Sequence, residues 1–205
     1  MTFGERDLIE KARETAFGHV VSSISLMASL PSQVFTGDFS EFMFFESDRI
    51  FAPPFVEVIR EFLIAEQATS CCLVNLSRTH TMTNSHDAAI FLEPQVTSVE
   101  YDAHLRSGGP TTGWLFSMDR YGCASDSGSW SIYCEKNNDV AVVALRSGSA
   151  AEKFASPLRN LHAEPINKLI HQGTAGPFPF SSLTPKWRKE LSKQYGSEKL
   201  QPNAH

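Results

Sequence analysis

The chain lacks the sequence features that mark common catalytic, metal-binding and phosphate-binding proteins. It has four cysteines and no Cys-x-x-Cys pair, so the zinc-ribbon and thioredoxin-like classes have no support. It has no Gly-x-Ser-x-Gly nucleophile elbow and no Gly-Lys-Ser/Thr ending of a phosphate-binding loop. These absences favour a protein that binds a partner over one that performs chemistry. We expect no cofactor and no metal ion.

Long apolar runs are also missing. The longest weakly polar stretch, residues 17–35, contains His19, Pro31 and five serines, whereas a membrane-spanning helix needs about 20 mostly apolar residues. Acidic residues such as Glu5 and Asp7 stand where a signal peptide carries positive charge. We therefore expect a cytoplasmic protein without membrane contact, whose cysteines are reduced, buried side chains.

The charge of the chain is acidic but unevenly distributed. Residues 1–182 hold 21 acidic and 13 basic side chains, whereas residues 183–205 hold two acidic and five basic ones. An acidic body disfavours direct binding of nucleic acid, because phosphates are neutralised by Lys and Arg. It favours a basic protein partner, whose approach it would steer.

Length and composition predict one packed domain. The 205 residues are 41% apolar and 20% charged, as in globular domains. We expect a single α+β domain over residues 1–172 and a linker rich in Gly, Pro and Phe at 173–185. A basic C-terminal helix and a disordered tail are expected at 186–205.

Apolar periodicity predicts most of the secondary structure. The clearest helix begins at Pro53-Pro54, and the other helices are expected at residues 5–17, 20–30, 98–105, 150–161, 165–171 and 186–195. Apolar runs predict strands at 42–45, 71–76, 88–92 and 114–118. Strands and helices do not alternate regularly. The expected fold is therefore α+β, with a mostly antiparallel sheet of about five strands, a central hairpin, and flanking N-terminal and C-terminal helices.

The central hairpin, from Trp130 to Leu145, is the best-determined element. Asn137-Asn138 suits a two-residue turn with positive φ. The resulting register sets Trp130 opposite Leu145, with Ile132–Val143 and Cys134–Ala141 on the same face. A slip of one residue would break this apolar face, so the alternation specifies the register.

Three segments have a weak resemblance to catalytic or ligand sites. His80, His86 and Asp87 include metal-ligating types, but such residues are also common in solvated loops. Residues 122–128 are expected to form a Gly-bounded loop with Cys123, Asp126 and Ser127, which leaves a small hydrolase or transferase as an alternative; no base for the cysteine is evident. The Gly-rich residues 107–113 are typical of a long turn.

Carboxylates suggest a docking surface. Glu57 and Glu61 stand four residues apart on the polar face of the clearest helix, and a second acidic set lies near Trp114. The alternatives are a solvated helix face for the acids and a core position for the tryptophan. The partner-binding candidates are Glu57, Glu61, Trp114, Asp119, Asp126 and Glu135.

The segment from Gly113-Trp114 through 122–129, 130–135 and 139–145 resembles the central hairpin of bacterial immunity proteins. These are the antitoxin partners of polymorphic toxins and type VI secretion effectors. The similarity is a hydrophobic pattern covering about a quarter of the chain. It implies inhibition of a cognate toxin by occlusion of its active site or assembly. A nuclease is the expected toxin, because its substrate groove must be basic. Two further interpretations are left as alternatives. The protein forms a homodimer, or it is an adaptor that docks its basic C-terminal helix elsewhere.

Overall fold

The computed structural model describes residues 3–79, 88–147, 151–171 and 184–196. Its strands are β1 (Phe39–Glu46), β2 (Cys71–Asn75), β3 (Ala89–Leu92), β4 (Arg120–Ser125), β5 (Trp130–Glu135), β6 (Val140–Arg146) and β7 (Glu164–Pro165). They form one antiparallel sheet in the order β3-β2-β4-β5-β6-β1-β7. The α+β class and the antiparallel sheet are confirmed, and the sheet has seven strands rather than about five.

Helices cover both faces of the sheet. They are α1 (Phe3–Ser23), α2 (Phe55–Glu66), α3 (Ser98–Arg106), α4 (Gly109–Thr112), α5 (Ala155–Asn160), α6 (Ile166–His171) and α7 (Pro185–Tyr195). One core cluster joins the sheet to α2, α3 and α5, and the other joins it to α1, α6 and α7. Because both faces are covered, β2 and β5 are buried at every position. Within the described ranges, no helix combines the length and apolar character that crossing a membrane requires.

The register of the central hairpin is confirmed, but its turn differs from the prediction. Trp130 lies opposite Leu145, and the pairing continues to Glu135 opposite Val140. The loop therefore has four residues, with a 3₁₀ turn over Lys136–Asn138. The positive φ, 56°, belongs to Asp139 rather than to the two asparagines. Asp tolerates this left-handed conformation better than most residues.

The predicted loop at 122–128 is wrong, because β4 runs through most of it. A Cβ placed on Gly122 would lie 2.7 Å from side-chain atoms of Val20 and of Ile24. This glycine permits a close approach of the α1 segment to the strand, which is one of the meanings of glycine in a strand. The predicted strand at 114–118 is absent, since residues 114–116 form a turn and 117–118 have no regular secondary structure before β4.

The N-terminal region forms one helix rather than the two predicted. α1 passes through Gly18 and ends at Ser23, so the predicted helix at 20–30 is wrong. Ile24 then forms an isolated antiparallel bridge with Phe35, which turns the chain back toward the sheet. The burial of Val20 and Ile24 against the sheet outweighs the local cost of a glycine within the helix.

The basic C-terminal helix is confirmed and belongs to the core. The Thr184 hydroxyl caps α7 by accepting from Trp187 N at 3.3 Å. Tyr195 is buried, and its hydroxyl donates to Ser32 O at 2.7 Å and accepts from Val34 N at 3.0 Å. The helix is therefore packed on the sheet rather than being a separate arm. Residues 173–183 of the linker predicted at 173–185, and residues 197–205 of the predicted tail, lie outside the described residues.

Candidate functional site

A polar cleft opens at one end of the sheet, where β5 ends and β4 begins. Its volume is about 330 Å³, at the lower end of the range of about 300–1,000 Å³ that is usual for small-ligand pockets. We call this end of the sheet, with its loops at 24–30, 113–119 and 136–139, the loop face. The described residues that line the cleft are Ser29, Leu30, Ser77, Met118, Asp119, Arg120, Glu135, Asn137 and Asn138.

Glu135 lines the cleft and connects the segments around it through hydrogen bonds. Its Oε1 accepts from Leu30 N at 2.6 Å and from the Tyr133 hydroxyl at 2.7 Å, while Oε2 accepts from Asn138 Nδ2 at 2.6 Å. Burial raises the pKa of Tyr133, helped by the neighbouring Glu135 charge, so the hydroxyl stays protonated and able to donate. Glu135 is buried. Its carboxylate therefore holds the loops in place rather than standing free on the surface, and its predicted role as a partner contact stays a prediction.

Two other charged side chains fix the walls of the cleft. The Arg120 guanidinium donates to Ala28 O at 2.8 Å and to Leu26 O at 3.0 Å, which secures the segment after α1. Asp119 accepts from Asn75 Nδ2 at 2.9 Å and from the Ser117 hydroxyl. The predicted contact Asp119 is thus engaged in internal hydrogen bonds, which hold the loop before β4 in place.

Lys136 is a buried cation at the back of the loop face. Its Nζ donates to Trp114 O at 3.2 Å and to Leu115 O at 2.5 Å, and it lies 4.3 Å from the centre of the Phe51 ring. Burial lowers the pKa of Lys136 from its ordinary value of 10.5. The side chain anchors residues 114–115 to the hairpin turn.

Raising the pH is expected to stabilise the protein relative to a Lys136→Met variant. The folded-state pKa of Lys136 lies below 10.5, so the unfolded chain binds more protons between these two values. The unfolding free energy contributed by this group therefore rises with pH across that window. Urea denaturation of both proteins from neutral pH upward measures the difference between their free energies of unfolding. The ionisation of tyrosines affects both proteins equally and cancels in this difference. A difference that does not change with pH would contradict the assignment.

Three large apolar side chains are exposed on the loop face. Met27 is 88% exposed, Met118 59% and Phe116 53%. Met118 lines the cleft, and Met27 stands between the two residues whose carbonyls hold Arg120. Single exposed apolar side chains are ordinary, but several on the loops at one end of a sheet are typical of a binding surface. Sequence reasoning missed these side chains because it assigned Met27 to a helix and Phe116 and Met118 to a strand, elements in which apolar side chains are expected to be buried.

The two predicted contacts Trp114 and Asp126 do not add an exposed side chain to the loop face. Trp114 is buried with its ring 5.4 Å from that of Tyr121, so it is a core residue. Asp126 lies at the opposite end of the sheet, where its Oδ1 accepts from the backbone N–H groups of Thr69 and Ser70 at 3.0 and 3.1 Å. The six candidates therefore do not form one surface.

The two acids on α2 have different surroundings. The Glu57 side chain is 53% exposed and pairs with Arg60. Glu61 accepts from Asn160 Nδ2 at 2.8 Å through Oε1, while its Oε2 is buried and has no hydrogen-bond partner among the described residues. Glu57 is thus the predicted contact that is best placed to act on an approaching charged protein.

The geometry does not favour the alternative catalytic site. Cys123 is buried within β4, with its Sγ 3.9 Å from Cys71 Sγ. The Ser127 hydroxyl donates to the Glu66 carboxylate. His19, which approaches this turn, uses Nδ1 to contact Ser125 O at 2.9 Å. The cysteine and the serine therefore do not meet around a shared base.

The predicted metal alternative falls on His80, His86 and Asp87, which lie outside the described residues. In the part of the chain that is described, no three His, Cys, Asp or Glu side chains are grouped as ligands for an ion.

Comparison with known proteins gives no further constraint. No protein-family model, no curated protein and no solved structure matches the chain. The arrangement of the loop face is therefore the basis for a functional assignment.

Proposed function

We propose that this protein is an immunity protein that acts in the cytoplasm by binding a cognate secreted toxin. The loop face is the contact surface, and binding occludes the active site or the assembly of the toxin. The observation that carries the proposal is the exposure of Met27, Phe116 and Met118 on the loops of this face, where Met118 lines the polar cleft. Aromatic residues and methionine are enriched in protein interfaces, where a few apolar anchors supply most of the binding energy.

The loops of this face are held in place before any partner arrives. Glu135, Arg120 and Lys136 each tie a loop to the sheet through hydrogen bonds to backbone groups. A surface ordered in this way loses little conformational entropy on binding, so more of the contact energy appears as affinity. A low entropic cost of binding favours an inhibitor that must outcompete the substrate of a toxin.

The charge of the chain supports a basic toxin, and a nuclease effector of the type VI secretion system is the proposed partner. The net charge is −5, and a nuclease must present a basic groove to its substrate. Because Asp119 and Glu135 are engaged internally, we attribute the attraction to the overall charge and to exposed acids such as Glu57. Such attraction accelerates encounter without direct contact.

Co-expression with the toxin encoded by an adjacent gene tests the proposal. We expect the two proteins to purify as a complex, growth to be rescued, and the nuclease activity of the toxin to be inhibited in vitro. If the neighbouring product forms no complex and its toxicity is not relieved, the proposal is wrong.

A Phe116→Ser substitution is expected to weaken toxin binding by about 10- to 30-fold, as is typical for loss of one apolar anchor. Phe116 is more than half exposed, so the folded state should lose little stability. Biolayer interferometry measures the affinity, and Val99→Ser is the matched control, because Val99 is 79% exposed on α3. Equal affinities of the two variants would exclude the loop face as the contact surface.

A further inference from the structure

The outer edge of β1 is only partly covered by a neighbouring strand. β6 pairs along the inner side of β1, whereas β7 pairs only with Met43 and Phe44 on the outer side. Among the described residues, the backbone of 39–42 has no strand on its outer side. An uncovered strand edge offers N–H and C=O groups to which another extended chain can pair.

A groove runs between this edge and the C-terminal end of α7, with a volume of about 530 Å³. Its wall includes Phe42 and Tyr195, whose ring centres lie 5.1 Å apart in an edge-to-face arrangement. Phe39 also lines the groove, and its ring lies 5.5 Å from that of Phe35. Phe39 and Phe42 are half-buried, in contrast to the fully buried positions of β5. An apolar side chain that enters the groove would therefore meet aromatic surface.

The charged side chains that line the groove in the described ranges are Asp38 and Glu41, both carboxylates. Asp38 accepts from the Ser147 hydroxyl at 3.1 Å. An edge flanked by acids disfavours edge-to-edge pairing with a second copy of the chain, because like charges would face each other. It favours an extended segment that carries basic side chains.

We propose that this groove binds a short extended segment of a partner protein, with alternating apolar and basic side chains, as an added strand on β1. Successive side chains of the added strand point to opposite faces. In β1 the register shifts between Phe39 and Glu41, and Phe39 and Phe42 therefore pack against the same core cluster. One set meets the aromatic wall and the other meets the acids, while the backbone pairs with residues 39–42. The groove lies at the opposite end of β1 from the loop face, so this inference does not depend on the proposed function.

Fluorescence anisotropy with a synthetic peptide tests the proposal. The probe is a labelled, end-blocked hexapeptide of alternating lysine and valine, titrated with the full-length protein. Two derivatives of the probe, which are isomers of each other, are N-methylated either at the lysine amides or at the valine amides. Each pattern blocks the hydrogen bonds of one edge of the peptide. We expect one isomer to bind at least about tenfold more weakly than the other, because only one edge pairs with β1. Equal affinities of the two isomers, or no binding of the parent peptide, would overturn the strand-addition proposal.

Charge variants locate the peptide on the edge. Glu41→Lys is expected to weaken binding by about five- to tenfold at low salt. Glu46→Lys is the matched control, since Glu46 lies on the same strand but outside the groove, and it should have little effect. Equal weakening by both variants would show that the peptide is attracted by the overall charge of the protein and does not bind in the groove. Self-association of the free protein that is lost in Glu41→Lys would show that a second copy is the occupant, and would also overturn the proposal.

Discussion

Replacing Glu135 with alanine is expected to lower the free energy of unfolding by about 3–4 kcal/mol. The substitution removes the acceptor of three hydrogen bonds, whose donors are Leu30 N, the Tyr133 hydroxyl and the Asn138 side chain. Leu30 and Tyr133 are buried, and an unsatisfied buried donor costs about 1–3 kcal/mol. Urea denaturation followed by circular dichroism measures the change.

Two comparison variants separate the loss of hydrogen bonds from the loss of a charge. Glu135→Gln keeps an acceptor oxygen and should cost less, about 1–2 kcal/mol. Glu164→Ala removes a partly exposed carboxylate that pairs with Lys168, and should change stability by less than about 0.5 kcal/mol. Faster amide exchange at residues 25–36 in Glu135→Ala would confirm that the carboxylate holds this segment. A loss below about 1 kcal/mol would show that water replaces the missing oxygens.

The elements that sequence reasoning predicted correctly are those whose signal is local. The apolar stripe of α2 and the alternation along β5 and β6 repeat at the periods of a helix and a strand. Burial of both faces of the hairpin adds to this, because every position from Trp130 to Glu135 must suit a packed environment. A register error would then place polar side chains in the core.

The features that sequence reasoning missed depend on partners that are distant along the chain. Gly122 is typical of a loop until α1 is seen to approach it closely. Glu135 is typical of a solvated acid, since its partner Leu30 lies 105 positions away in the chain. Charge patterning cannot distinguish an acid that serves an interface from one that satisfies a buried donor. For this reason the exposed apolar side chains of the loop face define the candidate contact surface, whereas most of the predicted carboxylates do not.

Replacing Phe62 with alanine is expected to cost about 3–5 kcal/mol, the usual range for a fully buried phenylalanine. Phe62 has no exposed surface, and its ring centre lies 4.8 Å from that of Trp130 and 5.4 Å from that of Phe154. The ring fills the space between the sheet and the segment leading into α5. Since domains are stable by about 5–15 kcal/mol, this one substitution would remove a large share of the total.

Ile64→Ala is the matched control for Phe62→Ala, because Ile64 lies on the same helix and is 66% exposed. Its cost should stay within about 0.5 kcal/mol, since an exposed surface position contributes little packing and alanine favours a helix. Both variants are compared by urea denaturation at one pH. A cost below about 1.5 kcal/mol for Phe62→Ala would mean that Trp130 and Phe154 close over the gap.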